Sequence, residues 1–554
     1  IPKGRIGGTP KPRVPVRPTK PAATAEASTG APRAVSPPKP AARKTLPGPA
    51  APNRPAVPKA APAAAPMKSA PAAAPMKSAP AAAAAKVSPQ PNAADALREA
   101  RGREAKRLFA LGAALHRQGR IADAVRAYGR AIVFDPVFAD AYANLGAAFR
   151  AQGKSEAAVA SAARALALQP DRANFHSNLG NALRDQGRLE EAAQALQQAL
   201  RLAPDAPEIL YNFGLVLRDM GRLDTALSCF DAVLKSRPDH AECRYDRALA
   251  LLQAGDLKRG FAEYEARWKL RRNPPRAFEV ARWNGQAMPG KTLLVHAEPG
   301  FGDAIQFARF AAHAKEKSGA TVLLESPAEL ARLMETLQAV DKIAVQGGPL
   351  PAFDAHIPIM SLPALMGTVA TTIPAAVPYL SAPEIRAVAL PNLVAGAFKV
   401  GIVWAGAAAA RAERHRSCPF VHFLELLRVP GVVLYSLQTG KAAEDARQHA
   451  AEPLVFETGH LLADYADMAS AILQLDLVVS VDSTAAHLAG ALGKPVWTLL
   501  PDVPDWRWTA RGKNTPWYPT MRLFRQKTRG DWSGVIAEAV AELRAVAGKR
   551  PRSG

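Results

Sequence analysis

The chain has 554 residues and a formal net charge of +23 at pH 7, enough length for two or three domains. Its three cysteines, Cys229, Cys243 and Cys418, are odd in number and lack redox or metal spacing. That excludes a disulfide scaffold and points to a reducing, cytoplasmic compartment. No apolar run reaches the ~18 residues of a membrane helix, and nothing near the start reads as a secretory leader.

Residues 1–98 read as a Pro/Ala/Lys-rich tail. From Ile1 to Ala94 there are 15 Lys or Arg against one acid, Glu26, which is +14 of the total and leaves +9 for the other 460 residues. The tail has no aromatic residue and contains a nine-residue duplication, Pro62 to Ala70 and again Pro71 to Ala79. Such a segment buries too little apolar surface to offset its ordering entropy, so a disordered tether is expected. Because the basic excess sits there, the charge does not call for a nucleic-acid partner.

Residues 103–270 carry a 34-residue period. Gly112, Gly146, Gly180 and Gly214 are followed in register by Ala248. The columns Gly119, Gly153, Gly187, Gly221, Gly255 and Ala124, Ala158, Ala192, Ala226 and Pro136, Pro170, Pro204, Pro238 keep the same step. Each unit reads as helix, glycine turn, helix, proline stop. The first glycine column lets the paired helices approach closely. In the third unit the helices are predicted over Asn174 to Asp185 and Leu189 to about Leu202. Four full units run from about 105 to 238, and a partial fifth ends at Tyr264-Glu-Ala-Arg-Trp268. The columns resemble the tetratricopeptide repeat, an α-helical solenoid that usually binds protein or peptide.

A further column, Asn144, Asn178 and Asn212, precedes each Leu-Gly or Phe-Gly pair, with Asp246 in the fifth place. An amide on a concave face can donate to and accept from a peptide backbone. The column is similar to the asparagine ladder of O-linked N-acetylglucosamine transferases, which implies an extended polypeptide partner. Bonding between neighbouring helices is the alternative use of such residues.

After Trp268 the period stops and apolar runs alternate with helical stretches, as in a parallel sheet. Strands are expected at Lys291–His296, Ala320–Glu325, Lys399–Trp404, Val432–Leu437, Leu477–Val481 and Val496–Leu500. Helices are expected over Ala304–Lys317 and from Ala328. Two successive halves, 285–390 and 398–548, predict two Rossmann-like lobes joined near 381–397 with a cleft between them.

The strongest site signal is Asp482-Ser483-Thr484-Ala-Ala-His487 after the strand Leu477-Val-Val-Ser-Val481. There a helix opens whose free amides attract phosphate. With Leu-Ala-Gly-Ala-Leu-Gly-Lys-Pro495 it resembles the heptosyltransferase-like glycosyltransferases of the GT-B fold. The resemblance covers about 290 to 548. It includes Trp404-Ala-Gly406, Ser436-Leu-Gln438 and Trp506-Arg-Trp508 to Trp517-Tyr-Pro519. Repeats followed by such a domain look like bacterial repeat-containing glycosyltransferases, some of them associated with flagellin.

That resemblance implies roles. Asp482, Ser483, Thr484 and His487 would bind the diphosphate or sugar of a nucleotide-sugar donor. Gln438 would approach the nucleotide, and Arg414 and Arg416 would neutralise the leaving group. Asp303, ending Gly300-Phe-Gly302-Asp303, would be the general base, with His296 and Glu298 in reserve. No Asp-x-Asp motif occurs in this half, so no metal and no cofactor beyond the donor substrate is expected. Ala407 to Ala410 stand where similar sequences carry Asn and basic residues, a departure that bears on donor choice and turnover.

The sequence thus reads as a tetratricopeptide solenoid followed by an α/β GT-B domain. The expected activity is inverting transfer of sugar to a protein hydroxyl, with flagellin as the suspected acceptor. A glycolipid sugar transferase and a non-catalytic assembly scaffold are the alternatives.

Overall fold

The computed structural model describes residues 93–384, 388–391, 396–406 and 416–549. The predicted tail up to residue 92, the alanines at 407–410 and Arg414 lie outside the described residues.

The array begins earlier than the sequence predicts. Helix α1 (Ala93–Arg117) takes in 93–98, assigned above to the tail, because Ala93, Ala94, Ala96 and Leu97 are good helix formers. It pairs with α2 (Ile121–Phe134). Then follow α3 (Ala139–Ala151) with α4 (Ser155–Leu168), α5 (Ala173–Asp185) with α6 (Leu189–Leu202), α7 (Pro207–Asp219) with α8 (Leu223–Ser236), and α9 (Ala241–Ala254) with α10 (Leu257–Tyr264). The fifth hairpin has both helices but is cut short, as its partial motif predicts. Its second helix has 8 residues where the other four have 14, since the chain turns into the next region through a 3-10 turn at Glu265–Lys269.

Both glycine columns do the work predicted for them. The turn glycines Gly119, Gly153, Gly187, Gly221 and Gly255 all have φ between 70° and 91°, where a Cβ is strained. At Gly180 a Cβ would lie 2.7 Å from Leu196 Cγ, and at Gly214 2.7 Å from Phe230 Cε1. The small residues therefore set how closely α5 meets α6 and α7 meets α8.

Two parallel sheets follow. The first holds β1 (Thr292–His296), β2 (Thr321–Ser326), β3 (Lys342–Val345) and β4 (Ala355–Pro358), ordered β3-β2-β1-β4. Around it lie α11 (Phe301–Ala308), α12 (Phe310–Ser318), α13 (Ala328–Met334) and α14 (Leu362–Leu365). The helix predicted over Ala304–Lys317 is thus two helices, divided at Arg309. The second sheet holds β5 (Phe398–Val403), β6 (Val432–Ser436), β7 (Val455–Glu457), β8 (Leu477–Val481), β9 (Val496–Leu500) and β10 (Met521–Arg525), ordered β10-β9-β8-β5-β6-β7. With it go α15 (Asp445–Gln448), α16 (Tyr465–Leu473), α17 (Thr484–Ala491) and α18 (Trp532–Ala547).

All strand pairs are parallel. Counted within the second sheet the order is that of a doubly wound fold, and it reverses between β5 and β8. Every residue of β8 and of β9 is buried, as expected of strands covered on both faces. The four strands that the sequence did not reveal, β3, β4, β7 and β10, have 3 to 5 residues and carry Lys342, Pro358, Glu457 or Arg522.

The last hairpin and the α/β region share one core. Ala248, Leu252, Leu257 and Phe261 pack in one cluster with Trp283, Leu293, Val295, Trp506 and Trp517. The Phe261 ring meets Trp506 edge-on with centroids 5.7 Å apart. Arg267 is buried there, its Nε and Nη2 donating to Glu298 at 2.8 and 2.9 Å and Nη2 also to Ser361 at 2.7 Å.

Candidate functional site

A cavity of about 810 Å³ lies at the carboxyl ends of β5 and β8. This is the strand-order reversal, the place where open α/β sheets bind ligands. Its walls come from the loop after β5 (Ala405, Gly406, Arg416), the loop after β6 (Gln438 to Ala442), the start of α17 (Asp482 to Ala485, His487), α16 (Tyr465) and the 3-10 turn at Trp506–Trp508 (Arg507). From the first sheet come Gly300, Phe301, Gly302 and Asp303. Arg332 of α13 holds this arrangement by donating to Asp464 at 2.7 Å and Asp467 at 3.1 Å beside α16.

Asp303 sits in the first turn of α11. Arg507 donates to its Oδ1 from the far side of the cavity and to Asp505 Oδ1 at 2.7 Å. Burial pushes the Asp303 carboxyl above the ordinary aspartate range, against the pull of Arg507. Asp482, after β8, accepts from Arg416 Nη1 at 3.2 Å and is raised by burial in the same way. Ser483 caps α17: its Oγ accepts from Ala486 N and is 2.7 Å from Ser480 Oγ. Thr484 opens α17 and lines the cavity.

His487 lines the cavity one turn into α17. Its Nδ1 is 3.0 Å from Tyr518 Oη, and its ring stacks on Trp508 with centroids 4.9 Å apart. Burial, then Arg507, Arg309 and Arg416, hold the ring well below its ordinary pKa, so it is neutral.

Gln438 also lines the cavity, but its amide is spent on the backbone. Oε1 accepts from Trp404 N at 3.1 Å and Ala405 N at 3.0 Å, while Nε2 donates to Ala405 O and Thr439 O, both at 3.2 Å. It braces the loop after β5 and is a positioning residue.

Asp303, Asp482, Ser483, Thr484, His487, Gln438 and Arg416 therefore come together from separate stretches of sequence. His296 does not join them. It is buried at the end of β1, its Nε2 3.3 Å from His356 Nδ1 and its ring 5.2 Å from that of Phe278. Burial drives its pKa down to about 3, and it does not line the cavity. Glu298 is likewise engaged, by Arg267 and by Met360 N at 3.1 Å. The residue that sequence reasoning missed is Arg507. The signal was a lone cation between Trp506 and Trp508.

A second cavity, about 870 Å³, shares Asp303, Arg416, Asp482 and Arg507 with the first and is walled on its other side by Arg184, Arg218, Tyr245, Gln253 and Tyr264 of the repeats. Gln253 Nε2 reaches Pro504 O at 3.0 Å, and Arg529 Nη2 reaches Asp219 O at 3.0 Å. An unforeseen column steps through the array beside it. Arg150 pairs with Asp185 at 2.8 Å, Arg184 with Asp219 at 2.6 Å, and Arg218 with Asp246 at 2.6 Å.

The asparagine column is half-buried and lines neither cavity. Asn212 Nδ2 donates to Ser177 Oγ at 3.1 Å in the preceding repeat.

Family models for tetratricopeptide repeats match residues 112–153 and 180–221, 211–280, and 139–172. The chain carries tetratricopeptide repeats. It is 31% identical over 317 residues to Protein FlbA of Caulobacter vibrioides, covering 51% of this chain and 52% of that protein. It thus spans about half the length of the curated relative it matches. Among solved structures, Pseudomonas aeruginosa PilF is 24% identical, covering 32% of this chain and 80% of its own, with a TM-score of 0.28. A thermophilic repeat protein of Thermus thermophilus is 23% identical, covering 31% and 93%, with a TM-score of 0.28.

A protein-binding role follows from the repeats. Among the described residues no three His, Cys, Asp or Glu side chains gather as metal ligands, and no helix is long and apolar enough to cross a membrane.

Proposed function

We propose that this protein is an inverting protein O-glycosyltransferase of the GT-B type. It would move a sugar from a nucleotide-sugar donor to a Ser or Thr hydroxyl of a polypeptide held by the repeats, with flagellin as the proposed acceptor. The observation that supports this reading best is a pair of adjacent cavities that share lining residues. A cavity at the strand-order reversal of a doubly wound sheet meets, at Asp303 and Arg507, a cavity walled by the repeats. A donor on one side and an acceptor chain on the other would be brought to the same carboxylate.

In this reading Asp303 takes the proton from the acceptor hydroxyl as its oxygen attacks the anomeric carbon. The bond to the nucleoside diphosphate breaks on the opposite face, so configuration inverts. The carboxyl raised by burial is a stronger base than a surface aspartate. Arg416 and the free amides at the start of α17 receive the negative charge that develops on the leaving group. Metal independence rests on the lack of an Asp-x-Asp motif in this half. The asparagine column would contribute to polypeptide binding only where its amides retain free groups, which Asn212 does in part.

Intact-mass analysis of the bound acceptor, purified from cells with and without this protein, tests the reading. A sugar-sized mass increment that requires the chain and disappears in Asp303→Asn is expected. An acceptor of unchanged mass, together with no binding of any nucleotide-sugar, would leave the scaffold reading in its place.

A further inference from the structure

The His487 ring is held on every side, and its surroundings decide where its single proton sits. Trp508 covers one face. Gly302 of α11 lies against the edge, where a Cβ would come within 2.9 Å of Cδ2 and 3.5 Å of Nε2. Nδ1 faces Tyr518 Oη at 3.0 Å. Nε2 therefore points to the side of the ring that borders the cavity, and no hydrogen bond to it is made by the described residues.

Tyr518 is wholly buried and has a cation beside it. The Arg309 guanidinium lies over the Tyr518 ring at 4.5 Å. Arg309 itself is fixed where α11 meets α12. It donates to Gln306 O at 2.8 Å, to Trp517 O and to Tyr379 Oη at 3.0 Å, and Tyr379 gives its own proton to Ile305 O at 3.0 Å. A guanidinium only donates. Its positive charge repels the Tyr518 hydroxyl proton, which turns away from Arg309 and towards Nδ1.

We infer that Tyr518, held by Arg309, fixes the tautomer of His487, so that the ring presents Nε2–H to the cavity as a neutral hydrogen-bond donor. Tyr518 and Arg309 are positioning residues in this scheme and His487 is the contact. The ring cannot accept the proton of an incoming hydroxyl at Nε2, because that nitrogen already carries one. Proton removal is left to Asp303. The partner of Nε2–H is an oxygen acceptor. Under the proposed transferase function, on which only this identification rests, it is an oxygen of the donor's diphosphate or sugar. The charged groups facing the ring are Arg309 from the α11–α12 junction, Arg507 from the 3-10 turn and Arg416 from the loop after β5. Asp303 and Asp482 border the same cavity.

Nitrogen-15 spectra of the full chain labelled in histidine test the inference without any ligand. The His487 resonances are identified by their loss in His487→Gln. The expected pattern is a pyrrole-type Nε2 and a pyridine-type Nδ1, unchanged as pH crosses the ordinary histidine value near ~6.5. Tyr518→Phe removes one oxygen from a buried ring and should give a mixture of tautomers. A protonated Nδ1 in the unaltered protein would show that Tyr518 donates elsewhere, to Tyr379, and would overturn the inference. So would an unaltered tautomer in Tyr518→Phe.

Calorimetry with inorganic pyrophosphate and a set of nucleoside diphosphates reads the contact itself. His487→Ala should weaken binding about tenfold, while His487→Gln, which keeps an N–H, should stay within about threefold. Equal losses in the two variants would refute the Nε2–H contact. If the unaltered protein binds none of these probes, the transferase reading fails, and the spectra still decide the tautomer.

Discussion

Charged side chains are arranged differently in the two regions of this molecule. In the array, arginine–aspartate pairs recur with the repeat, and their side chains stay partly open to water: 22% and 30% exposed for Arg184 and Asp219. In the α/β region the pairs follow no period; many are as open as these, such as Lys315–Asp341 and Lys513–Glu538, but Arg267 and Glu298 are closed off, at 3% and 7%. Solvent screens the first kind, so each pair adds little. The second kind is expensive to break, because the surviving partner is left as an uncompensated charge. A repeat can thus lose one pair and keep its stacking. Two of the α/β pairs hold single joints: Arg267–Glu298 links the last repeat to the first sheet, and Arg507–Asp303 spans the cavity.

Substitutions can break or sharpen this contrast. The largest effect is expected at Asp303. Asp303→Asn should lower the transfer rate by about 10²–10⁴-fold, with a smaller loss of stability than Arg267→Ala because Asp505 still pairs with Arg507. The pH profile gives a matched check. Because the carboxyl is raised by burial, the active, ionised form should be lost as pH falls through a value above that of an ordinary aspartate. A rate that is flat down to the usual aspartate range would remove Asp303 from the base role. Next comes Arg267→Ala, expected to cost about 3–5 kcal/mol in denaturant unfolding. The double variant Arg267→Met with Glu298→Gln should recover part of that loss. Gly214→Ala should cost about 1–3 kcal/mol, since its Cβ would press on the buried Phe230 ring. The smallest effect is expected at Arg184→Ala, about 0.2–1 kcal/mol. An Arg184 loss as large as that at Arg267 would erase the distinction between the two regions.

The same contrast explains what could be read from the chain. The array was legible because one turn glycine recurs five times and one close-contact glycine four times, so Gly119 to Gly255 and Gly112 to Gly214 announce themselves by spacing. Its start was misjudged because alanine-rich sequence suits both a loose tail and the first turns of α1. The long apolar strands, β8 and β9, were legible to the residue. The short strands β4 and β7 were not, since 3 or 4 residues leave no periodicity to detect.

In the site, Asp482 and His487 stood out because strand, turn and helix are adjacent in sequence. Arg507 did not, because its partner Asp303 is 204 positions away. Gln438 was correctly placed at the cavity, but its bonds to the loop after β5 depend on a fold that spacing does not reveal. His296 looked like a neighbour of Asp303 in sequence. The strand carries it into a buried cluster with Phe278 and His356 instead.

A stack of helical hairpins needs a cover at each end, or its last apolar face meets water. Here the cover at one end is the α/β region itself, which takes Leu252, Leu257 and Phe261 into its own interior. The stack is therefore anchored like a ruler clamped at its zero mark. Units can be gained or lost at the far end, near α1, without shifting the distance from the final hairpin to Asp303. An insertion between α8 and α9 would instead move every earlier unit outward by one step while the clamped end stayed put. The reach of the molecule along a bound chain can thus vary between relatives while the geometry at the cavity stays constant.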